Sequence, residues 1–302
     1  MKLIESVPNI SEGRDGQKIE EIAAQVRAVK GVALLDVDPD SDHNRTVITF
    51  VGPPEGVEEA VLRLVAKAVE LIDLNRHRGE HPRMGAVDVI PFVPIRGTTM
   101  EECIELSRRV GERIWNMFKI PVYLYEESAT RPERRDLAEI RKGEFEGFAS
   151  KIQEPDWAPD FGERRVHRTA GVVAVGARPP LIAYNVNLGT SDLGVARKIA
   201  KAVRGSSGGL RYVKALGLAL EERGIVQVSM NMTDYEKTPL FRVFELIKRE
   251  AQRYGVPVVG SEIVGLVPQR ALNMVAEFYL QLEDFKEGQI LENRIAEELG
   301  GI

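Results

Sequence analysis

The chain has 302 residues, of which 43% are hydrophobic and 29% charged, a composition typical of a folded globular protein. This length is enough for two domains of about 150 residues each. The net charge of −5 argues against a general nucleic-acid-binding protein, whose surface is basic. A single cysteine excludes an internal disulfide framework. No apolar run has the length of a membrane span, and the N-terminus lacks the apolar core of a signal peptide, so we expect a cytoplasmic protein without a membrane partner.

Strand-like and helix-like patterns alternate through the first half of the chain, which indicates layers of helices and strands. Strands are predicted at residues 3–7, 32–37, 46–51, 87–93, 121–125 and 172–175, and helices at residues 16–29, 55–74 and 100–118. Residues 128–170 are rich in charge and proline and show little periodicity beyond a helix near residues 133–142. We interpret that segment as a bridging or ligand-covering segment.

The second half has the element order β-α-β-β-α-β, which is that of a ferredoxin-like sandwich, or split βαβ fold. Ser191 or Asp192 could cap its first helix, and residues 221–224 have the composition of a hairpin turn. We therefore predict an α+β protein with two α/β-sandwich subdomains, residues 1–178 and 179–302, the C-terminal one ferredoxin-like. A cleft between two such sandwiches would provide a substrate channel.

The segment Arg-His-Arg-Gly-Glu-His-Pro-Arg-Met-Gly at residues 76–85 is the best candidate for an active-site loop. It contains two of the four histidines of the chain and three arginines. Pro82 disfavours the helical conformation at His81, and Gly79 and Gly85 allow sharp bends. A turn that served folding alone would need neither two imidazoles nor three guanidinium groups.

Two patterns that resemble metal sites fail when their spacing is checked, so no metal is predicted. His77 and His81 have the spacing of a helical zinc pair, but Gly79 and Pro82 disrupt such a helix. The aspartates at positions 36, 38, 40 and 42 resemble a calcium loop, yet Ser41 stands where that loop needs glycine. We interpret this run as a solvated loop with one functional carboxylate.

Basic side chains concentrate at residues 76–83 and 164–168. Because a guanidinium group binds carboxylates bidentately, such clusters suit a substrate with several carboxyl groups. Solubilising charge is an equal alternative for the second cluster. Arg45 and Arg83 are the candidates for binding a substrate carboxylate, although an ion pair of Arg45 with Asp38 or Asp42 is the default interpretation there.

Short motifs spread over nearly the whole chain carry a family resemblance. They are Val-Pro-Asn-Ile-Ser-Glu-Gly at 7–13, Asn-Arg-Thr-Val at 44–47, the loop motif extended to 76–88, Asp-Trp-Ala-Pro-Asp-Phe-Gly at 156–162, Ala-Tyr-Asn-Val-Asn at 183–187 and Gly-Leu-Val-Pro at 265–268. In these motifs the chain resembles the formiminotransferase family, whose members are glutamate formiminotransferases, free-standing or fused to a cyclodeaminase. The chain ends near residue 302, so we expect the free-standing form.

The resemblance implies transfer of a formimino group from N-formimino-L-glutamate to N5 of the co-substrate tetrahydrofolate in histidine degradation, giving L-glutamate and 5-formiminotetrahydrofolate. His81 matches the family's catalytic histidine. The family's folate-binding loop maps onto Gly162, Glu163, Arg164, Arg165, Val166, His167, Arg168, Thr169, Ala170 and Gly171. This chain is more basic in that loop than the better-known members.

The implied reaction requires that N5 lose a proton and that the departing glutamate nitrogen gain one. An imidazole can do both in turn, because its ordinary pKa near 6.5 leaves both forms accessible at neutral pH. We hypothesise that His81 moves this proton, with Asp38 as its orienting or charge-balancing partner, and that His77 is structural. Two alternatives stay open, namely formyl transfer between 5-formyltetrahydrofolate and glutamate on the same scaffold and a noncatalytic folate-binding or regulatory module. A homodimer also stays open.

Overall fold

A computed structural model describes residues 2–41, 43–79 and 82–298. The chain divides into two compact units, Met1–Pro179 and Pro180–Ile302. Each unit contains its own sheet and its own buried apolar cluster. Among the residues described, no helix has the length and apolar character needed to cross a membrane.

The described part of the first unit forms one seven-stranded sheet. Its strands are β1 (Leu3–Ser6), β2 (Asn9–Ile10), β3 (Ala33–Asp40), β4 (Arg45–Gly52), β5 (Val87–Arg96), β6 (Val122–Glu126) and β7 (Val173–Ala177). The order is β1-β4-β2-β5-β7-β6, with β3 paired to β4 at the edge. The β5–β7 and β6–β7 pairs are parallel, and the others are antiparallel.

Helices cover both faces of this sheet. They are α1 (Gly16–Arg27), α2 (Pro54–Leu71), α3 (Met100–Phe118), α4 (Leu137–Arg141) and α5 (Glu144–Lys151). The apolar sides of α1, α2 and α3 pack on one face, where Phe50 and Phe92 are fully buried. On the other face, Ile140 of α4 and Phe148 of α5 pack against Tyr123 and Tyr125 of β6.

The second unit has the order β8 (Ile182–Leu188), α6 (Leu193–Val203), β9 (Val213–Leu220), β10 (Ile225–Met232), α7 (Leu240–Arg253), β11 (Val258–Val264), α8 (Gln269–Leu280) and α9 (Leu291–Glu298). Its sheet has the order β11-β8-β10-β9 with antiparallel neighbours. Asp192 caps α6, as its position predicted, by accepting a hydrogen bond from the Gly194 amide (2.8 Å). This arrangement is ferredoxin-like.

The predicted α+β class with two sheet-and-helix subdomains is confirmed, and the channel between them stays a prediction. The aspartate run was interpreted wrongly, because Asp36, Asp38 and Asp40 lie on the edge strand β3 rather than in a solvated loop. Asp42 lies outside the described residues. Residues 128–170 also contain more structure than the sequence indicated, since α5 and its buried Phe148 had not been predicted.

Candidate active site

The candidate active-site loop connects α2 to β5. His81, the predicted catalytic residue, and Glu80 lie outside the described residues. The structure describes the chain on both sides of them, at residues 72–79 and from Pro82 onward. The site is therefore defined by the groups that hold these two flanks.

Asn44 holds the first flank through two hydrogen bonds and is itself held by a third, from Gly13. Its amide nitrogen Nδ2 donates to the Arg78 carbonyl (2.8 Å), and its Oδ1 accepts from the Gly13 amide (2.9 Å). Its carbonyl accepts from Nε2 of His77 (2.7 Å). Gly79 passes so close that a methyl group on it would lie 2.4 Å from the His43 carbonyl oxygen. Only glycine fits at that point.

Both ring nitrogens of His77 are engaged. While Nε2 bonds to the Asn44 carbonyl, Nδ1 accepts from Nε of Arg83 (3.1 Å), which fixes the tautomer with the proton on Nε2. Burial lowers the pKa of His77, so the ring is neutral at neutral pH. Such an imidazole holds the loop and is not free to exchange a proton with a substrate.

Arg83, on the second flank, is buried against α5. Its guanidinium group donates bidentately to Glu146 (2.7 and 2.6 Å) and also to Glu144 (3.0 Å). The hydrogen bond from Arg83 lowers the pKa of Glu146 to about 2. The role of Arg83 as a substrate-carboxylate group stays a prediction, and the protein already supplies this guanidinium with two carboxylates. Sequence reasoning missed both glutamates because it missed α5.

Asp88 holds the end of the loop where β5 begins. It is 2% exposed, its Oδ1 accepts from the Met84 amide (2.7 Å), and its Oδ2 accepts from Nε of Arg141 (2.7 Å). A buried carboxylate needs such partners. Sequence reasoning missed this residue too, although an aspartate inside the apolar run Val-Asp-Val-Ile is a signal that could have identified it.

A polar recess beside the loop brings several of these groups together. It is lined by Asn9, Ile10, Ser11, His43, Asn44, Arg45, His77, Arg83 and Asp88. Within it, Arg45 donates to Oδ1 of Asn9 (3.3 Å), and Nδ1 of His43 lies 2.6 Å from a carboxylate oxygen of Asp40. Asp38 is exposed on β3, two residues before Asp40 on the same side of the strand, and is not among the lining residues. The pairing of Asp38 with His81 stays a prediction.

The predicted folate-binding loop, residues 162–171, is hydrogen-bonded to the histidine loop along the backbone. The Leu74 amide donates to the Thr169 carbonyl (2.9 Å) and the Ala86 amide to the Ala170 carbonyl (3.0 Å). Just beyond, the Val172 amide donates to the Met84 carbonyl (3.0 Å). Two segments that the sequence analysis had selected on separate grounds are therefore adjacent.

The folate-binding loop is itself a tight, basic turn. His167 and Gly171 exchange two backbone hydrogen bonds (3.1 Å each), and Nδ1 of His167 accepts from the Ala170 amide (3.0 Å). Burial lowers the pKa of His167, so this imidazole is also neutral at neutral pH. One side of the turn forms a cavity of about 310 Å³, lined by Trp115, Lys119, Arg165, Val166, His167 and Arg168. Sequence reasoning missed Trp115 and Lys119, which lie at the end of α3.

The fold and the site define a two-unit α+β protein in which a histidine-bearing loop is bound to a cationic loop. The model of the formiminotransferase domain, N-terminal subdomain, matches residues 3–178, and that of the formiminotransferase domain matches residues 183–298. The chain belongs to the formiminotransferase family.

Curated relatives match the chain over nearly all of its length. The glutamate formimidoyltransferase of Streptococcus pyogenes serotype M1 is 55% identical over 97% of this chain and 99% of its own length. That of Thermoplasma acidophilum is 50% identical over 98% of each chain. The formimidoyltransferase-cyclodeaminase of Gallus gallus is 46% identical over 93% of this chain but only 53% of its own length. The similarity to the two free-standing relatives is therefore end to end.

Proposed function

We propose that this protein is a glutamate formimidoyltransferase, which moves the formimino group of N-formimino-L-glutamate to N5 of tetrahydrofolate in the cytoplasm. The products are L-glutamate and 5-formiminotetrahydrofolate, and tetrahydrofolate is a co-substrate rather than a resident cofactor. The end-to-end identity of 55% to a relative of that name supports this reaction. The proposal assigns no role to a metal.

The observation that carries the proposal is the set of backbone hydrogen bonds between the histidine loop and residues 169–172. A transferase must hold the acceptor next to the group that handles its proton. If residues 162–171 bind folate, the bonds from Leu74 and Ala86 to this loop keep the two flanks of His81 beside the bound acceptor.

In the proposed reaction, the lone pair of N5 attacks the formimino carbon, and the bond from that carbon to the glutamate nitrogen then breaks. His81 accepts the proton that N5 loses and returns it to the departing nitrogen. His81 is proposed for this task from its place in the family motif, and the rings of His77 and His167 suit it less because hydrogen bonds hold them. Asp38 balances the charge of the protonated His81 ring in this scheme.

The described cations suit substrates that carry carboxylates. Lys119, Arg165 and Arg168 line the cavity at the folate-binding loop, where the Trp115 ring offers an apolar surface to an aromatic group. Arg45, in the polar recess, is the proposed partner of a formiminoglutamate carboxylate. Arg83 is bound to Glu144 and Glu146, so we propose that it positions the histidine loop.

Replacing His81 tests the catalytic role. The variant His81→Ala is expected to bind tetrahydrofolate normally and to lose about 10²- to 10⁴-fold in kcat, since general acid–base catalysis typically contributes that much. Lys30→Ala, at an exposed position after α1, serves as the control and keeps wild-type turnover. Wild-type kcat in His81→Ala would exclude the proton-transfer role.

The donor is tested with the purified wild-type protein. Tetrahydrofolate is supplied with either formiminoglutamate or formylglutamate, and the products are identified by mass. We expect 5-formiminotetrahydrofolate from the first donor at a rate at least about tenfold above that of formyl transfer from the second. Turnover with formylglutamate alone would replace the proposed donor, and folate binding without turnover on either would point to a noncatalytic binding protein.

A further inference from the structure

One face of the sheet in the second unit carries two adjoining rows of side chains that are mostly polar. Helices α6 and α7 pack against the opposite face, where Tyr184, Val186 and Val228 are buried. The strand register places Leu218, Gln227, Asn187 and Gly260 side by side in one row and Leu216, Ser229, Asn185 and Glu262 in the next. An antiparallel sheet commonly has one polar, solvated face, yet Asn185, Asn187 and Gln227 on this face are at most 9% exposed.

The amide groups of these rows converge on one carboxylate oxygen. Nδ2 of Asn185 (3.1 Å) and Nε2 of Gln227 (2.8 Å) both donate to Oε1 of Glu262, and Gln227 also donates to Oδ1 of Asn187 (2.9 Å). Gln227 and Asn187 are only 4% and 5% exposed, so their orientation is fixed. In the part of the chain that the structure describes, Oε2 of Glu262 has no hydrogen-bond partner.

The surface beside these amides is open and partly apolar. Gly260, next to Asn187 in its row, has no atom closer than 3.9 Å to the position of an added methyl group. A glycine inside a strand often marks a bulge, and the register of β11 shifts between Val258 and Gly260. The missing side chain also leaves the surface beside Asn187 open. At the other end of the rows, Leu216 and Leu218 are 63% and 38% exposed. A flat ring could therefore lie on the leucines with its polar edge toward Glu262.

We propose that Glu262, oriented by Asn185 and Gln227, binds the 2-amino-4-oxopyrimidine edge of the pterin ring of tetrahydrofolate. This inference rests on the proposed function, because it names the residues that would recognise the acceptor of that reaction. The pterin edge presents two parallel N–H donors, at N3 and at the 2-amino group, and both can donate to Oε2 of Glu262, because Asn185 and Gln227 already occupy Oε1. Next to them, the ring carbonyl at position 4 is an acceptor that suits the amide of Asn187.

The formimino group itself is a rival ligand for the same carboxylate, because a protonated formamidine also presents two parallel N–H donors. That cation has no acceptor atom for the neighbouring amides and no flat ring for the leucines. The complete set of donors, acceptors and apolar surface therefore favours the pterin.

The test measures binding of tetrahydrofolate to Glu262→Gln by calorimetry under anaerobic conditions. We expect Kd to rise about 10- to 100-fold, because the glutamine oxygen stays with Asn185 and Gln227 and its –NH2 group opposes the pterin donors. Glu222→Gln, in the exposed turn between β9 and β10, is the matched control and keeps the wild-type Kd. The KM for formiminoglutamate is expected to stay within about twofold of the wild-type value in both variants.

A second arm changes the ligand and leaves the protein intact. Reduced 2-desamino-2-methylfolate lacks the 2-amino donor, so it should bind the wild-type protein about tenfold or more weakly than tetrahydrofolate. Its Kd should rise by a smaller factor between the wild-type protein and Glu262→Gln than the Kd of tetrahydrofolate does, since only one ligand donor then faces the glutamine amide.

Three outcomes would overturn the inference. They are an unchanged Kd for tetrahydrofolate in Glu262→Gln, a desamino analogue that binds the wild-type protein as tightly as tetrahydrofolate, and a raised KM for formiminoglutamate with unchanged folate binding. The third would assign Glu262 to the formimino group. Failure of the proposed function is distinguishable, because wild-type protein would then show no formimino transfer whatever the variants bind.

Discussion

At the scale of single residues, the start of the active-site loop depends on Asn44. Its backbone has a positive φ of 50°, a conformation that asparagine adopts more readily than most residues. Its short side chain provides a donor for the Arg78 carbonyl and an acceptor for the Gly13 amide. Few other side chains meet these requirements together, so substitution should affect both stability and the loop.

We expect Asn44→Ala to lower the free energy of unfolding by about 1–3 kcal/mol, because it leaves buried backbone groups unpaired. Asn44→Gly is the matched variant that loses the same hydrogen bonds but accommodates a positive φ. Denaturant unfolding of both variants separates the two causes. If both variants unfold at the wild-type denaturant concentration, Asn44 does not hold the loop.

The ion pair of Arg83 with Glu146 gives the loop a pH dependence. The pKa of Glu146 falls from 4.5 to about 2 on folding, so its contribution is present above about pH 4.5 and is lost as the pH falls toward 2. Glu146→Gln should cost about 1 kcal/mol at pH 7, a small value because solvent screens the exposed Glu146. The difference in the free energy of unfolding between wild type and variant, measured with urea, should shrink as the pH is lowered from 5 to 3. A difference that stays constant over this range would exclude the ion pair as its cause.

At the scale of elements, close backbone contact joins the histidine loop to the chain after the folate-binding loop. Gly85 pairs with Gly171 in an isolated bridge, and a methyl group on Gly85 would lie 2.1 Å from the Val172 carbonyl oxygen. Neither backbone could move aside without breaking the hydrogen bond between Val172 and Met84. The close spacing of the two segments therefore requires glycine at position 85.

Gly85→Ala is expected to lower the free energy of unfolding by about 3 kcal/mol and to raise the KM for tetrahydrofolate, because the two segments must separate. Gly16→Ala, at the first residue of α1 with open space around it, is the control and should change stability by less than about 0.5 kcal/mol. Thermal unfolding and steady-state kinetics on both variants check this. A wild-type KM in a destabilised Gly85→Ala would separate the contact from folate binding.

Elements with strong local signals were predicted almost to the residue. Helix α3 spans Met100–Phe118 as predicted, because Thr99 and Glu102 form a capping box at its start. Helix α5 was missed because Gly143 and Gly147 interrupt its pattern and Glu144 begins it with a positive φ of 53°. Strand β3 was predicted to end at residue 37 but continues to Asp40, because aspartates and Pro39 are unusual in strands, yet an edge strand tolerates both.

At the scale of the whole molecule, the net charge of −5 opposes the binding of anionic substrates. Local clusters must overcome it, as at the cavity lined by Lys119, Arg165 and Arg168. Attraction between exposed charges weakens with ionic strength. Folate binding should therefore respond to salt through these few cations.

We expect the Kd of tetrahydrofolate to rise several-fold between about 0.05 and 0.5 M NaCl, as screening predicts. Arg168→Gln should weaken binding at low salt and flatten this dependence, whereas Arg211→Gln, at an exposed position of the second unit, should leave both unchanged. Titration calorimetry at several salt concentrations measures the effect. An unaltered salt dependence in Arg168→Gln would remove this residue from the folate site.

The sequence predicts the chemistry of the site but not the contacts that support it. The histidine loop and residues 162–171 were selected from local composition and motifs, which need no knowledge of the fold. The contacts of Arg141 with Asp88 and of Glu146 with Arg83 span 53 and 63 residues of chain, and no local pattern encodes such pairings. Trp115 and Lys119 could not be predicted for the same reason, because only the folded chain places the end of α3 beside Arg165.

The amide groups of Leu74, Ala86 and Val172 are natural reporters of site occupancy. Each donates to a carbonyl group in the other segment, so its hydrogen exchanges with deuterated solvent only when the two segments come apart. A ligand that holds the segments together would slow the exchange of all three amides in parallel, although none of them need touch it. Exchange rates measured at these three amides with each substrate in turn would therefore show which substrate binds first. Neither substrate would need a label.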